Sequence, residues 1–194
     1  MAEPEEDLPR TYLLVAAHGD IILVLRRNRY VRVRSSVLSD SSRVFNAMLG
    51  PDFMEGQGTG TVAQPKEIQL LEDDEQGMIF LCQMLHNSQL DDICPSDLLE
   101  VAKLAGKYDC VAAVHMPTEA ILSRYHTSER MKLDSANPWD MRTLTAAAYL
   151  LNHAWFFHDF TQRFVLDSML EYDLSARDRT IFHLPVSILR QMQN

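Results

Sequence analysis

Apolar residues in this chain change their spacing partway along it, and that change limits the folds open to it. Val31 and Val33 alternate with Arg32 and Arg34, the two-residue period of a strand with one face toward a core. Before them, the apolar runs Tyr12 to Ala17 and Ile21 to Leu25 are separated by the turn signal His18-Gly19-Asp20, and both read as strands. Arg26 to Arg29 fits a hairpin loop between the second and third strands. Beyond Asp73 the spacing becomes helical. Met78, Leu81, Cys82 and Leu85 share one face, and Leu98, Val101, Ala102, Ala105 and Tyr108 form the stripe of a helix from about Ser96 to Tyr108. Strands first and helices afterwards is the pattern of a segregated α+β fold rather than of an alternating βαβ wind.

The segments between and after these follow the same logic. Ser35, Ser36, Ser39, Ser41 and Ser42 suit helix N-caps, and Val44, Phe45, Met48 and Leu49 follow at helical spacing, so two short helices are expected before Gly50-Pro51. Gly56 to Pro65 carries almost no apolar mass and reads as a loop. Its G-x-G-x-G string is followed by the strand pattern Ile68-Gln69-Leu70, where a phosphate cradle would need a helix N-terminus. Val111, Val114, Ile121, Leu122 and Tyr125 continue the helical spacing, with Pro117 expected to kink or interrupt the helix. Asn137-Pro138-Trp139-Asp140 has the chemistry of a helix start, with Met141, Leu144, Ala148 and Leu151 as the buried stripe. A second helix at about Asp159 to Tyr172 is expected to gather Phe157, Phe160 and Phe164, and a last short one to span Val186 to Met192. The resulting division is an acidic tail at 1–11, a main domain at 12–126, a polar linker at 127–136 and a helical extension at 137–194. Trp139, Trp155, Phe156, Phe157, Phe160 and Phe164 make that extension too aromatic for a solvated tail, so it should pack on the last helices of the main domain.

Composition removes several classes of function. Apolar residues at 46% and charged ones at 23% are ordinary for a globular protein, and 194 residues suffice for one sizeable core plus an appendage. A net charge of −9 gives no general pull toward nucleic acid, and the local arginines at 26, 27, 29, 32 and 34 read as a solvated strand face. The three cysteines, Cys82, Cys94 and Cys110, lack paired spacing and read as free thiols of a reducing compartment. Met1 to Asp7 is acidic without an apolar stretch, and no segment approaches the roughly 18 apolar residues of a membrane span. The expected setting is intracellular, cytoplasm or nucleus, with no membrane.

Catalytic and metal chemistry find little support. No G-x-S-x-G elbow, H-E-x-x-H helix or Walker signature accompanies the seven histidines. Cys110 and His115 stand five apart and do not align on a regular helix, so a packed thiol is the simpler reading. Cys82 and His86 would share a helix face, with Cys94 near enough to be a third ligand, but zinc lacks a clear fourth. No cofactor, metal or catalytic residue is expected, and a small metal- or nucleotide-dependent enzyme is the remote alternative. Phe53-Met54-Glu55 is the most informative short motif. On a connector, an aromatic can fill a partner's pocket while a carboxylate two residues on fixes register, although Phe53 could equally plug the chain's own core.

The order of these blocks resembles the BTB/POZ domain, in the form abundant in fungal proteins. The matching residues are Gly19-Asp20-Ile21-Ile22-Leu23-Val24, Val37-Leu38, Ser42-Arg43-Val44-Phe45, Met48-Leu49, Phe53-Met54-Glu55, Ile68-Gln69-Leu70, Leu98-Leu99-Glu100-Val101-Ala102 and Lys107-Tyr108, spread over residues 12 to 126. Ala146-Ala147-Ala148-Tyr149-Leu150-Leu151 is similar to the helical extension that often follows such domains. The resemblance implies a small sheet capped by helical hairpins, no cofactor, and a non-catalytic role as a homo-oligomerising adaptor or scaffold for a protein partner. It implies a homodimer contact through the first strand and first helices, here Tyr12, Leu13, Leu14, Val15, Val37 and Leu38. Its sharper form is a substrate adaptor of a cullin-based ubiquitin ligase, with Phe53, Met54 and Glu55 in place of the family's hydrophobic-x-Glu cullin contact. Arg34-Ser35 departs from the animal pattern of a His followed by a basic residue, so a pocket like that of animal transcriptional repressors is not implied.

Overall fold

The computed structural model describes residues 10–51, 60–90, 92–127 and 138–167. A mixed sheet is built from β1 (Thr11–Leu14), β2 (Ile21–Leu25), β3 (Arg29–Val33) and β4 (Lys66–Gln69), in the spatial order β1-β3-β2-β4. β2 and β3 form the antiparallel hairpin that their spacing predicts. Arg27 and Asn28 both have positive φ, the primed turn whose twist matches the flanking strands, and the Arg29 amide closes it on the Arg26 carbonyl at 3.2 Å. β1 runs parallel to β3, and β4 runs parallel to β2. β1 stops at Leu14, short of the Ala17 expected from the apolar run, because the Gly19 amide turns back onto the Ala16 carbonyl at 3.0 Å. Gly19 is required there: a Cβ would lie 2.3 Å from the carbonyl oxygen of Val33.

Seven helices accompany the sheet among the described residues: α1 (Ser35–Ser41), α2 (Arg43–Met48), α3 (Glu75–Leu85), α4 (Pro95–Lys107), α5 (His115–Thr127), α6 (Pro138–Leu150) and α7 (Ala154–Asp167). Their starts follow capping chemistry. The Ser42 hydroxyl accepts from the Phe45 amide at α2, the Asp74 carboxylate accepts from the Gly77 amide at α3, and Pro95 opens α4. Their ends share a device. Asn87, Asp109 and Asn152 take the left-handed conformation, and the next amide in each case reaches back five residues, to Gln83, Ala105 and Ala148 respectively. Pro117 does not break α5: the helix starts at His115, so the proline sits in the first turn, where no intrahelical acceptor awaits its missing N–H. α7 begins at Ala154, five residues before the expected Asp159, since the turn at Asn152 lets a helix restart at once.

The sheet turns Ile21, Leu23, Leu25, Val31, Val33 and Ile68 inward onto α1, α2 and α3. α4 packs between α3 and α6, α7 packs on α6 and touches α5, and a single apolar core runs from Leu23 through Leu98 and Ala102 to Leu144 and Phe160. Phe156 and Phe160 fill that core from α7, whereas Trp139 and Trp155, counted with them from sequence, stay 58% exposed. The acidic tail up to residue 9, most of the linker, the side chain of Phe164 and the expected helix at Val186 to Met192 lie outside the described residues.

Candidate protein-interaction face

β1 is an edge strand, and its register sets what it shows to solvent. Tyr12 pairs with Tyr30 and Leu14 with Arg32 across β1 and β3, and Val24 and Ile22 of β2 pair with the same two residues. Residues paired across strands share a face, so Tyr12, Leu14, Tyr30, Arg32, Ile22 and Val24 form one outer surface, opposite the core. Tyr30 and Ile22 are buried but stand outside the main core. The Tyr12 ring lies 4.9 Å from that of Tyr30, with the Arg10 guanidinium 5.2 Å over the latter. Arg32 is fixed by donating to the carbonyls of Gly19 (2.9 Å) and Val62 (2.6 Å). What remains open is Tyr12 at 52% exposed, Leu14 at 60% and Val62 at 51%, aromatic and aliphatic surface beside a strand edge with no partner strand among the described residues.

The other residues singled out for self-association fall elsewhere. Leu13 and Val15 are half-buried and pack against the core, and Val37 on α1 is half-buried. Leu38 is fully buried among the core residues, so its side chain serves this chain's own fold and is not open to a second copy. Phe53, Met54 and Glu55 lie outside the described residues.

Several blocks that carry the family resemblance meet in space and do structural work. Ser42 at the start of α2 donates its hydroxyl to the Tyr108 carbonyl, and the Phe45 and Tyr108 rings stack at 4.2 Å. Buried Asp73 accepts from Lys107 Nζ and from the Tyr108 hydroxyl, both at 2.5 Å. Burial, with the negative charge of Asp73 beside it, pushes the Tyr108 phenol up, so it stays protonated and donating. Asp20 accepts from the Ser35 amide (2.8 Å) and hydroxyl (2.5 Å). Burial works against its charge, but these two donors outweigh it and hold the carboxyl below its ordinary value.

The thiols and histidine weighed from sequence as catalytic or metal-binding groups have structural contacts among the described residues. Cys82 and Cys110 are buried thiols that burial pushes up to about 12, which suits packing rather than nucleophilic attack. His86 meets Cys82 through the backbone carbonyl, not the thiol, and Cys94 sits at the start of α4 with its sulfur 2.9 Å from the Ser96 hydroxyl. Among the described residues no group of three His, Cys, Asp or Glu side chains could hold a metal ion. An open cleft of about 600 Å³ between the α1–α2, α4–α5 and α6–α7 turns is lined by Asp40, Arg43, Asp109, His115 and Asn152. Across it Arg43 Nε lies 3.7 Å from Asp109. No described helix is long and apolar enough to cross a membrane. No family model matches the chain, and no curated protein matches it significantly.

The exposed apolar patch escaped sequence reasoning in part. The run from Tyr12 marks a strand, but which of its residues face out depends on its pairing with β3, each residue with the one eighteen positions on. Val62 joins through a loop held by the Arg32 hydrogen bond and by the Lys66 amide on the Asp20 carbonyl, partners distant in sequence.

Proposed function

We propose that the chain is a BTB/POZ-type interaction module whose activity is self-association and recruitment of a protein partner, not catalysis. One observation supports this reading most: β1 is an uncharged edge strand with Tyr12 and Leu14 more than half exposed on the outer face of the sheet. A second copy covering that patch would gain about 1.5–3 kcal/mol for each large apolar side chain removed from water, in addition to hydrogen bonds along the edge. The mixed α/β architecture with its small four-stranded sheet is compatible with the family. Docking of a cullin-type scaffold at Phe53 and Glu55 is a separate proposal, carried by the sequence motif alone.

Light scattering coupled to size exclusion at micromolar concentration tests the self-association. The expected mass is twice the 22.2 kDa of one chain. A single-chain mass that persists as concentration rises would remove the proposal. Metal analysis and a nucleotide-binding screen on the same sample separate it from an enzyme: a stoichiometric metal or a bound nucleotide would favour catalysis.

A further inference from the structure

The N-terminus of α1 has no side-chain cap of its own: Arg34 stands at the cap position without one. Its first two amides are instead held by groups from other elements. The Ser35 amide donates to Asp20, and the Arg34 amide donates to Nε2 of His86 at 3.0 Å, across 52 residues of sequence. Nε2 must therefore be bare. The other ring nitrogen, Nδ1, lies 2.9 Å from the Cys82 carbonyl and can only donate to it. Both ring nitrogens are thus committed, and the arrangement specifies the neutral Nδ1–H tautomer. His86 itself caps the C-terminal end of α3, and two residues on the Ser88 hydroxyl donates to the Val15 carbonyl just beyond β1.

We propose that His86 is a proton-operated catch, which when neutral holds the start of α1 against the end of α3 and when protonated lets that helix end go. A proton taken from solvent onto Nε2 would place two N–H groups against each other and abolish the bond from Arg34. The charged group that bears on the ring among the described residues is the Arg34 guanidinium, which opposes a second positive charge. Cys82 on the same helix is a neutral thiol, and Asp20 faces Ser35 and not the ring. Burial, the Cys82 carbonyl pulling the other way, and Arg34 together hold the imidazole below its ordinary value. The sign follows: a histidine depressed in the fold contributes stability that is complete above the unfolded value of about 6.5 and is lost as pH falls through the folded value. This device does not depend on self-association.

Nitrogen-15 spectra of the imidazole groups, with amide exchange on the full chain between about pH 8 and pH 5, test it. At neutral pH, His86 should show a protonated Nδ1 and a bare Nε2, and its midpoint should fall below about 6.5. Across that midpoint, the Arg34 amide should lose protection by about tenfold after correction for intrinsic exchange, while the Leu23 amide keeps its own. His86→Gln retains an acceptor that does not titrate, so its Arg34 protection should stay level. An Nε2–H tautomer, a midpoint at or above about 6.5, or an equal loss of protection in His86→Gln would each overturn the catch. Should His86→Gln not fold, the tautomer and midpoint of the wild type decide.

Discussion

β1 and β4 are the two edges of one sheet, and they meet water in opposite ways. β4 reads Lys66-Glu67-Ile68-Gln69, with one residue turned into the core and charged or amide groups at the others. β1 reads Thr11-Tyr12-Leu13-Leu14, without a charge, and leaves an aromatic and a leucine in solvent. Charged side chains on an edge strand discourage pairing with another chain, and their absence invites it. The difference teaches where an interface would form: among the described residues the inner faces of both strands join the core through Leu13 and Ile68, while Tyr12 and Leu14 of β1 stay open.

The largest effect separates fold from face. Leu38→Ala should lower folding stability by about 2–5 kcal/mol, because Leu38 is fully buried, and thermal unfolding should register it even in dilute monomer. A small change in melting temperature with loss of association would instead make Leu38 a contact residue, and the edge comparison would fail at α1.

Giving β1 the character of β4 is the next test. Leu14→Lys should weaken self-association at least about tenfold by sedimentation equilibrium, the cost of one exposed leucine losing its cover, with the melting temperature nearly unchanged. The reverse exchange, Lys66→Val with Glu67→Val, removes the charge that guards β4. Species larger than a dimer should then appear in light scattering, since both edges would be open.

The smallest effect belongs to a site far from either edge. Asn152 holds a left-handed conformation between α6 and α7, where glycine pays no Cβ penalty. Asn152→Gly should raise stability by less than about 1 kcal/mol in chemical denaturation and leave association untouched.

Much of this architecture was legible from local chemistry. The alternation of Val31 and Val33 with arginines placed β3, the serine cluster placed the Ser42 cap, and the stripe from Leu98 to Ala105 placed α4. What could not be read depends on partners distant in sequence. Asp73 finds Lys107 and Tyr108 after 34 and 35 residues, His86 finds Arg34 after 52, and no local pattern announces either pair. Trp139 and Trp155 misled for a related reason: an aromatic residue on a helix counts toward the core only when its face is known, and here both rings stay 58% exposed, one against Arg142 and the other against His126. Of the residues implicated in self-association, Tyr12 and Leu14 sit on the open face, while Leu38 shows how a helix-spaced apolar residue defaults to the core.

The most direct measurement is the mass of the wild type and of a Tyr12→Asp, Leu14→Asp double variant by light scattering across a hundredfold range of concentration, with melting curves on both. A wild-type dimer near twice 22.2 kDa, and a variant that stays at one chain while melting at nearly the same temperature, is the expected result. A variant that dimerises as the wild type does, or a wild type that never exceeds one chain, would contradict self-association through β1.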